Sequence, residues 1–385
     1  MNPNELLTER LEICNDAVRM KKKPKRVPFI TLDAFWRYHD SHYKLSEALM
    51  DYRDVENACI KFQNRYQFDS FLDIGDRNPL QVTRSLGNFE YRIDDDRNTL
   101  VLRDQCFFNP EDYDLFAQNP VKTLWENVLT RKYTLFNKDT PLETLMGTVG
   151  KFIEYTRAMS RISERLATEC GMPPLFANMH LGVAIECLYN FFRGIKGLAL
   201  DLRRCPDKIT SFIEVFHTAF VKPQIEGIVK IDKPATCFSR SSPMLAQNLL
   251  GRKDFEKFYW PQFKEITDKI VATDNTLFLL SEGTTKHITE FLQELPKGHF
   301  CMLVDMDDIF ETRKRLPNMC LMGGIPLFML GRASKEQVID RAKKVIDEVG
   351  SEGGVILSTD KFPSSSVDCN RDNLLALSEF VRNYR

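Results

Sequence analysis

Between residues 255 and 382 the chain changes hydrophobic period again and again, and this alternation constrains the fold more than any other feature. Residues 255–271 carry apolar side chains at helical spacing, and 276–281, in the stretch TLFLLSEGTT, form an apolar run. Such a run reads as a strand buried on both faces. Helical patterns at 286–295, 309–316, 335–349 and 373–382 then alternate with short apolar runs at 299–304, 319–322 and 354–357. Strand-then-helix units joined by short links build a parallel sheet with right-handed crossovers.

Upstream, residues 27–32, 70–74, 175–179 and 227–231 have strand character, which brings the expected strands to eight. Eight parallel strands with outer helices predict a TIM (β/α)8 barrel, an α/β fold whose working groups stand at the C-terminal ends of the strands. Residues 1–385 are expected to form one barrel domain. Residues 1–26 supply an N-terminal helix and a basic linker. Residues 89–103 alternate around the polar turn Asp94-Asp95-Asp96-Arg97 and predict a β-hairpin insertion. A long helical stretch at 141–170 is a second insertion.

A formal net charge of −1 gives no global attraction to nucleic acid or to an anionic membrane. No apolar run approaches the roughly 20 residues of a membrane span. The basic run Lys21-Lys22-Lys23-Pro24-Lys25-Arg26 reads either as a targeting patch or, the preferred expectation, as a solvated linker. Ten cysteines occur without a CxxC pair, so neither a zinc ribbon nor a redox motif is indicated. Reduced core thiols in a reducing cytoplasm are the expectation.

Several stretches in this order resemble the uroporphyrinogen decarboxylase superfamily, which also holds the methylcobamide-dependent methyltransferases. They are Phe192-Arg-Gly194 with Asp201, Phe255-Glu-Lys-Phe-Tyr-Trp-Pro261, Glu282-Gly283, Pro296-Lys-Gly298, Asp305-Met-Asp-Asp308, Met322-Gly-Gly-Ile-Pro326, Gly353-Gly-Val-Ile-Leu357 and Asp372-Asn373. Leu72-Asp-Ile-Gly75 and Leu86-Gly87 extend the likeness toward the N-terminus. The resemblance implies a barrel with its cleft at the strands' C-terminal ends. It also implies a small-molecule substrate and a homodimer paired through barrel faces.

The chain departs from that superfamily in two informative places. The decarboxylases carry an N-terminal arginine-rich segment, whereas this chain offers Arg37 flanked by Asp33 and Asp40. A substrate with eight carboxylates needs several fixed cations, because an unpaired buried carboxylate carries a penalty of several kcal/mol. The zinc-dependent methyltransferases place a His-x-Cys pair where this chain has Leu280 and Glu282, so the resemblance does not extend to their thiolate-activating zinc. His299 and Cys301, one strand later, alternate onto one face, but His299 begins the strand about 20 Å below the site end, and both read as packing and strand-entry residues. His39 and His42 read as a surface pair.

The remaining candidates are acidic. Glu282 and Asp305 close successive strands, and neighbouring parallel strands lie about 4.8 Å apart. Such a pair shares a proton, holds a metal, or binds a cationic or hydroxylated ligand; the other reading of Glu282 is an ion pair with Arg193. Asp308 is either a substrate contact or a helix N-cap. His180 is either a general base or a satisfied hydrogen-bonding residue. Arg240, in Cys237-Phe-Ser-Arg-Ser-Ser242, binds an anion or merely sits in a loop. Arg193, Tyr91 and Trp36 complete the candidate substrate contacts, with core packing as the other reading of the two aromatics.

The resemblance therefore leads to an expected corrinoid-dependent methyltransferase acting on a small O- or N-methylated substrate. No cofactor is expected to be covalently bound. Asp-x-His-x-x-Gly, the cobalamin-binding pattern, is missing, so cobalamin would arrive on a partner corrinoid protein. The alternatives are a decarboxylase of a tetrapyrrole or small acid, and a non-catalytic ligand-binding barrel.

Overall fold

The computed structural model describes residues 2–71, 79–137, 139–176 and 181–384. Nine strands appear in it: β1 (Ile30–Thr31), β2 (Ser70–Phe71), β3 (Tyr91–Asp94), β4 (Thr99–Leu102), β5 (Arg240–Met244), β6 (Leu277–Ser281), β7 (Phe300–Leu303), β8 (Cys320–Ile325) and β9 (Val355–Thr359). Strands β5 to β9 form one parallel sheet in chain order, with helices between successive strands. Parallel neighbours cannot be joined by a tight turn, so each connection carries a helix back along the sheet. The architecture is α/β.

The parallel pairing continues beyond that sheet. Phe29 bridges Leu357, and β1 pairs with β2 in parallel. At the other edge Phe176 bridges Phe238. Ser70 Oγ donates to the carbonyl of Pro173 at 2.9 Å, linking β2 to the segment that precedes Phe176. The sequence-predicted strands at 27–32, 276–281, 299–304, 319–322 and 354–357 are all occupied by observed strands. The hairpin is β3 and β4, paired antiparallel with Tyr91 opposite Leu102.

One expected strand is not formed. Residues 227–231 follow the Lys222–Glu226 helix as coil, with Val229 66% exposed, and the strand of this unit is β5. Its sequence, Arg-Ser-Ser-Pro-Met, lacks apolar alternation because Ser241 and Ser242 occupy fully buried positions through hydrogen bonds. Ser242 Oγ donates to the carbonyl of Leu181 at 2.6 Å, and the Leu181 N–H donates to the carbonyl of Ser241 at 2.8 Å. Strand predictions at 72–74 and 177–179 lie outside the described residues.

Two cores result. The larger packs helices against the outer face of the sheet; the smaller gathers Ile30, Leu32, Phe238, Phe278, Leu280, Cys301, Leu303, Cys320, Met322 and Ile356 on its inner face. Cys14, Ala17 and Val18 of the Pro3–Arg19 helix belong to that inner core. Arg19 fixes this helix beneath the strands by donating to Asp274 Oδ1 at 2.8 Å and to the carbonyl of Gly298 at 3.1 Å. The N-terminal end of the inner face is thus filled. Each fully buried Leu, Ile or Phe contributes roughly 1.5–3 kcal/mol. None of the ten cysteines is in a disulfide.

The basic linker is not wholly solvated. Arg26 donates to both oxygens of Asp69 at 2.7 Å, and Asp69 also accepts from the Phe29 N–H at 2.8 Å and lies 3.6 Å from Arg10 Nε. One buried carboxylate therefore joins the first helix, the linker and β1. Asp69→Asn, which leaves buried guanidinium groups without their counter-charge, is expected to cost about 3–5 kcal/mol in urea unfolding.

Candidate active site

The β6 residues Leu277 to Leu280 are buried, and the strand emerges from the core at Glu282. Register then sets its neighbour. Leu279 pairs with Met302, so three residues further Glu282 stands level with Asp305, about one strand spacing away. The two carboxylates are neighbours at the C-terminal end of the sheet. Gly283 permits this arrangement. Its φ is +81°, and a Cβ there would stand 2.1 Å from Asn248 Oδ1. Asn248 Nδ2 and Gln247 Nε2 donate to the Glu282 carbonyl at 2.7 and 2.6 Å, fixing the backbone from the β5 side. From the β7 side, Asp305 Oδ2 accepts the Gly283 N–H at 2.7 Å.

Lys361 binds the other oxygen of Asp305 from the segment after β9, and Asp360 accepts the Leu327 N–H at 2.8 Å. Among the described residues no hydrogen bond or ion pair reaches the Glu282 carboxylate. Burial, with the Asp305 charge second, pushes its pKa above the usual carboxylate range, and Lys361 opposes only partly. Burial also raises Asp360. Asp307, by contrast, is held low: it accepts from Thr284 Oγ1 at 2.7 Å and from the Thr285 N–H and Oγ1 at 2.8 and 2.9 Å. It clamps one loop to the next. Two exposed apolar side chains follow the strand ends, Met306 after β7 and Phe328 after β8. The mouth is thus acidic with an apolar rim, and Asp360 and Lys361 belong to it although their sequence context, a Thr-Asp-Lys after a strand, did not single them out.

Glu186 was also missed, because a lone acid inside Ala-Ile-Glu-Cys-Leu reads as a helix surface position. It is buried instead. Its Oε1 accepts the N–H groups of Leu245 and Ala246, both at 2.8 Å, and its Oε2 accepts from Asn190 at 3.1 Å. Burial pushes its pKa up to about 7 despite those donors. The residues it holds lead directly into Gln247 and Asn248, so Glu186 sets the loop that fixes Glu282.

The structure separates the other sequence candidates from this mouth. Arg193 is bound to Asp201, with Nε–Oδ2 2.5 Å and Nη2–Oδ1 2.9 Å, and also donates to the Phe108 carbonyl at 2.9 Å. It ties two helical segments together, and the alternative Glu282–Arg193 pair is not formed. Arg240 opens β5 level with Leu277, five residues or about 16 Å below Glu282. Its Nη1 donates to the Ser239 carbonyl at 2.8 Å. Asp308 caps the Ile309–Arg315 helix through the Glu311 N–H at 3.0 Å. Trp36 is buried against Phe62 and Tyr66, with ring centroids 6.1 and 6.0 Å away. Tyr91 lies on the hairpin, packed against the outer core. His299 stands at the lower end, with Nδ1 2.9 Å from the Asn275 carbonyl, and Cys301 faces the inner core. Arg37 is fully buried and paired with Asp33. His180 lies outside the described residues.

Among the described residues no group of three or more His, Cys, Asp or Glu side chains could hold a metal ion. Nor is any helix long and apolar enough to cross a membrane. Leu280, at the first position of the missing His-x-Cys pair, is buried in the inner core, and Asp305 is committed to Lys361 and Gly283. This donor set does not fit the zinc site of the related methyltransferases.

Comparison with known proteins agrees with this architecture. The sequence model of the family described as uroporphyrinogen decarboxylase (URO-D) matches residues 192–384, half of the chain. The protein belongs to the uroporphyrinogen decarboxylase family. Among solved structures, a methyltransferase from Methanosarcina mazei superposes with a TM-score of 0.61, covering 97% of this chain and 98% of that one. Sequence identity over that superposition is 11%, so the likeness is one of fold. No curated protein matches the sequence.

The buried Glu186 yields a pH-dependent prediction. Its folded pKa lies above the unfolded value, so its stabilising contribution is present below the ordinary glutamate range and is lost as pH rises toward about 7. Thermal unfolding of wild type and Glu186→Gln between pH 4.5 and 8 is expected to show the wild type losing stability relative to the variant as pH rises. A difference independent of pH would contradict the buried-carboxylate account.

Proposed function

We propose that the protein is a methyltransferase-type enzyme that removes a methyl group from a small O- or N-methylated substrate bound over Glu282 and Asp305. We infer further that the strands close into a (β/α)8 ring with β2 meeting the segment at Phe176; the parallel order from β2 to Phe176 and the Ser70–Pro173 hydrogen bond support this closure. The observation that carries the functional reading is the divided condition of the acid pair. Asp305 has a cation and a backbone donor, whereas Glu282 has neither and is buried beside a like charge.

A carboxyl so placed keeps its proton to higher pH and serves as a general acid. When the bond from the methyl carbon to the substrate oxygen or nitrogen breaks, Glu282 would pass its proton to that departing atom and regain one from solvent. Asp305 and Lys361 would orient polar groups of the substrate, and Met306 and Phe328 would cover its apolar part. On this reading a corrinoid would be carried by a partner protein. When bound, that corrinoid would supply the nucleophile that takes the methyl group.

Family membership also keeps decarboxylation of a small acid in view, with Lys361 as the carboxylate contact. A tetrapyrrole octacarboxylate fits poorly. Among the described residues the mouth holds Glu282, Asp305, Asp307 and Asp360 against Lys361, with Lys286 and Arg315 each 4.0 Å from Asp307, and Arg37 is buried against Asp33.

Two experiments separate these readings. The purified protein, mixed with a reduced corrinoid protein and a panel of methyl donors, should change the corrinoid absorption spectrum with at least one donor; no change with any donor would reject the reading. With an active donor, Glu282→Gln is expected to lower kcat by roughly 10²–10⁴-fold. Asp305→Ala removes the like charge, so the basic limb of the pH profile should move to lower pH.

A further inference from the structure

Above the apolar layers of the inner face, the parallel registers define one further layer. Leu279 pairs with Met302, Leu303 with Met322 and Gly324 with Ser358, while Phe29 bridges Leu357. Continued upward, these pairings bring Glu282, Asp305, Gly324, Ser358 and Ile30 to one level, that of the mouth. Alternation turns these positions inward. Ile30 itself belongs to the inner core, as do Leu280, Leu303, Met322 and Ile356, each two residues before its member of the layer.

Ser358 is the anomaly of this layer. Its side chain is fully buried, and its hydroxyl has no hydrogen-bond partner among the described residues. The buried hydroxyls of Ser281 and Thr359 are also unpartnered, but alternation turns those two toward the outer helices, with Leu279 and Leu357. An unpaired buried hydroxyl is a cost that folding alone gives no reason to keep. Beside it, β8 sends no side chain inward. At Gly324 φ is +99°, and a Cβ there would point outward, 2.8 Å from Val345 Cγ1. The cover is light as well. Lys361 reaches from the end of β9 to Asp305 with its side chain 49% exposed, an ion pair of the weak surface kind.

We propose that Ser358 is the floor of a hydroxyl-recognising subsite, so that the substrate carries a free hydroxyl group besides the group that reacts at Glu282. The assignment rests on the reading of the Glu282–Asp305 mouth as the substrate site. The neighbours select the group. The Asp305 carboxylate only accepts, and both its oxygens keep a lone pair beside their bonds to Lys361 and Gly283. Serine donates and accepts. A ligand hydroxyl also does both, so it donates to Asp305 while accepting from Ser358. A methyl group in its place satisfies neither, and a carboxylate would face Asp305. The two residues stand two strand spacings apart, roughly 10 Å between Cα atoms. A hydroxyl oxygen bonded on both sides spans about 5.4 Å, and the two side chains cover the remainder. Lys361 swings aside to admit the ligand, and Gly324 leaves the room for it.

Two measurements on the full chain and on Ser358→Ala test this. In thermal unfolding without ligand the variant is expected to melt higher than wild type, because it loses an unpaired buried hydroxyl. A lower melting temperature would show that Ser358 is bonded within the fold and would overturn the proposal. Binding is then followed by ligand-detected NMR with two ethers of one shape, 2-methoxyethanol and 1-methoxypropane, which differ by a terminal hydroxyl. Wild type is expected to prefer the hydroxylated ether at least about tenfold, and Ser358→Ala to bind the two alike. Equal binding by wild type, no binding of either ether, or a preference that survives in the variant would overturn the subsite. No corrinoid is present in these experiments. A preference without methyl transfer in the corrinoid assay would therefore reject the methyltransferase reading and keep the subsite, and methyl transfer without the preference would do the reverse.

Discussion

The placement of one carboxylate rests on the parallel register between β6 and β7. Because Leu279 pairs with Met302, the residues three places on, Glu282 and Asp305, must end side by side. Two carboxylates one strand spacing apart cannot both be ionised cheaply unless a cation intervenes. Lys361 binds Asp305 and only partly offsets the shift at Glu282, and Gly283 adds a backbone donor to Asp305. The asymmetry leaves Glu282 as the member of the pair whose pKa is raised, by burial first and by the Asp305 charge second. This division arises from the order of three strand ends, β6, β7 and β9, and from a glycine at positive φ.

The rest of the molecule protects that arrangement. The N-terminal helix fills the opposite end of the inner face, and Asp69 anchors the helix, the linker and β1 together. Asn248 and Gln247 hold the Glu282 backbone, and the loop bearing them is held by Glu186. A buried carboxylate with backbone and amide donors but no cation is costly near neutral pH. Its position behind the site marks that cost as part of how the mouth is built. Asp307 does for the β6 and β7 loops what Glu186 does for the β5 loop.

The sequence was readable where apolar burial alone decided the structure. The run Leu277 to Leu280 and the period of residues 335–349 could hardly be other than a buried strand and an outer helix, and the acids ending β6 and β7 followed from strand position. Strand β5 was not readable, because its buried serines and its proline are satisfied by hydrogen bonds that a hydropathy pattern does not register. The competing run at 227–231 has apolar residues but stays coil, with Val229 exposed. Lys361, Asp360 and Glu186 were invisible for a related reason: each owes its place to a partner on a distant strand or loop. Arg193 and Arg240 were plausible ligands by type alone; one is consumed by Asp201 and the other stands at the wrong end of its strand.

The direct test of this account is the titration of Glu282 itself, followed by carboxyl ¹³C NMR or by the infrared carbonyl band, in wild type and in Asp305→Asn. The account predicts a wild-type pKa above the ordinary glutamate range that falls when the neighbouring charge is removed. A Glu282 that titrates as a free glutamate and ignores the change at 305 would contradict it.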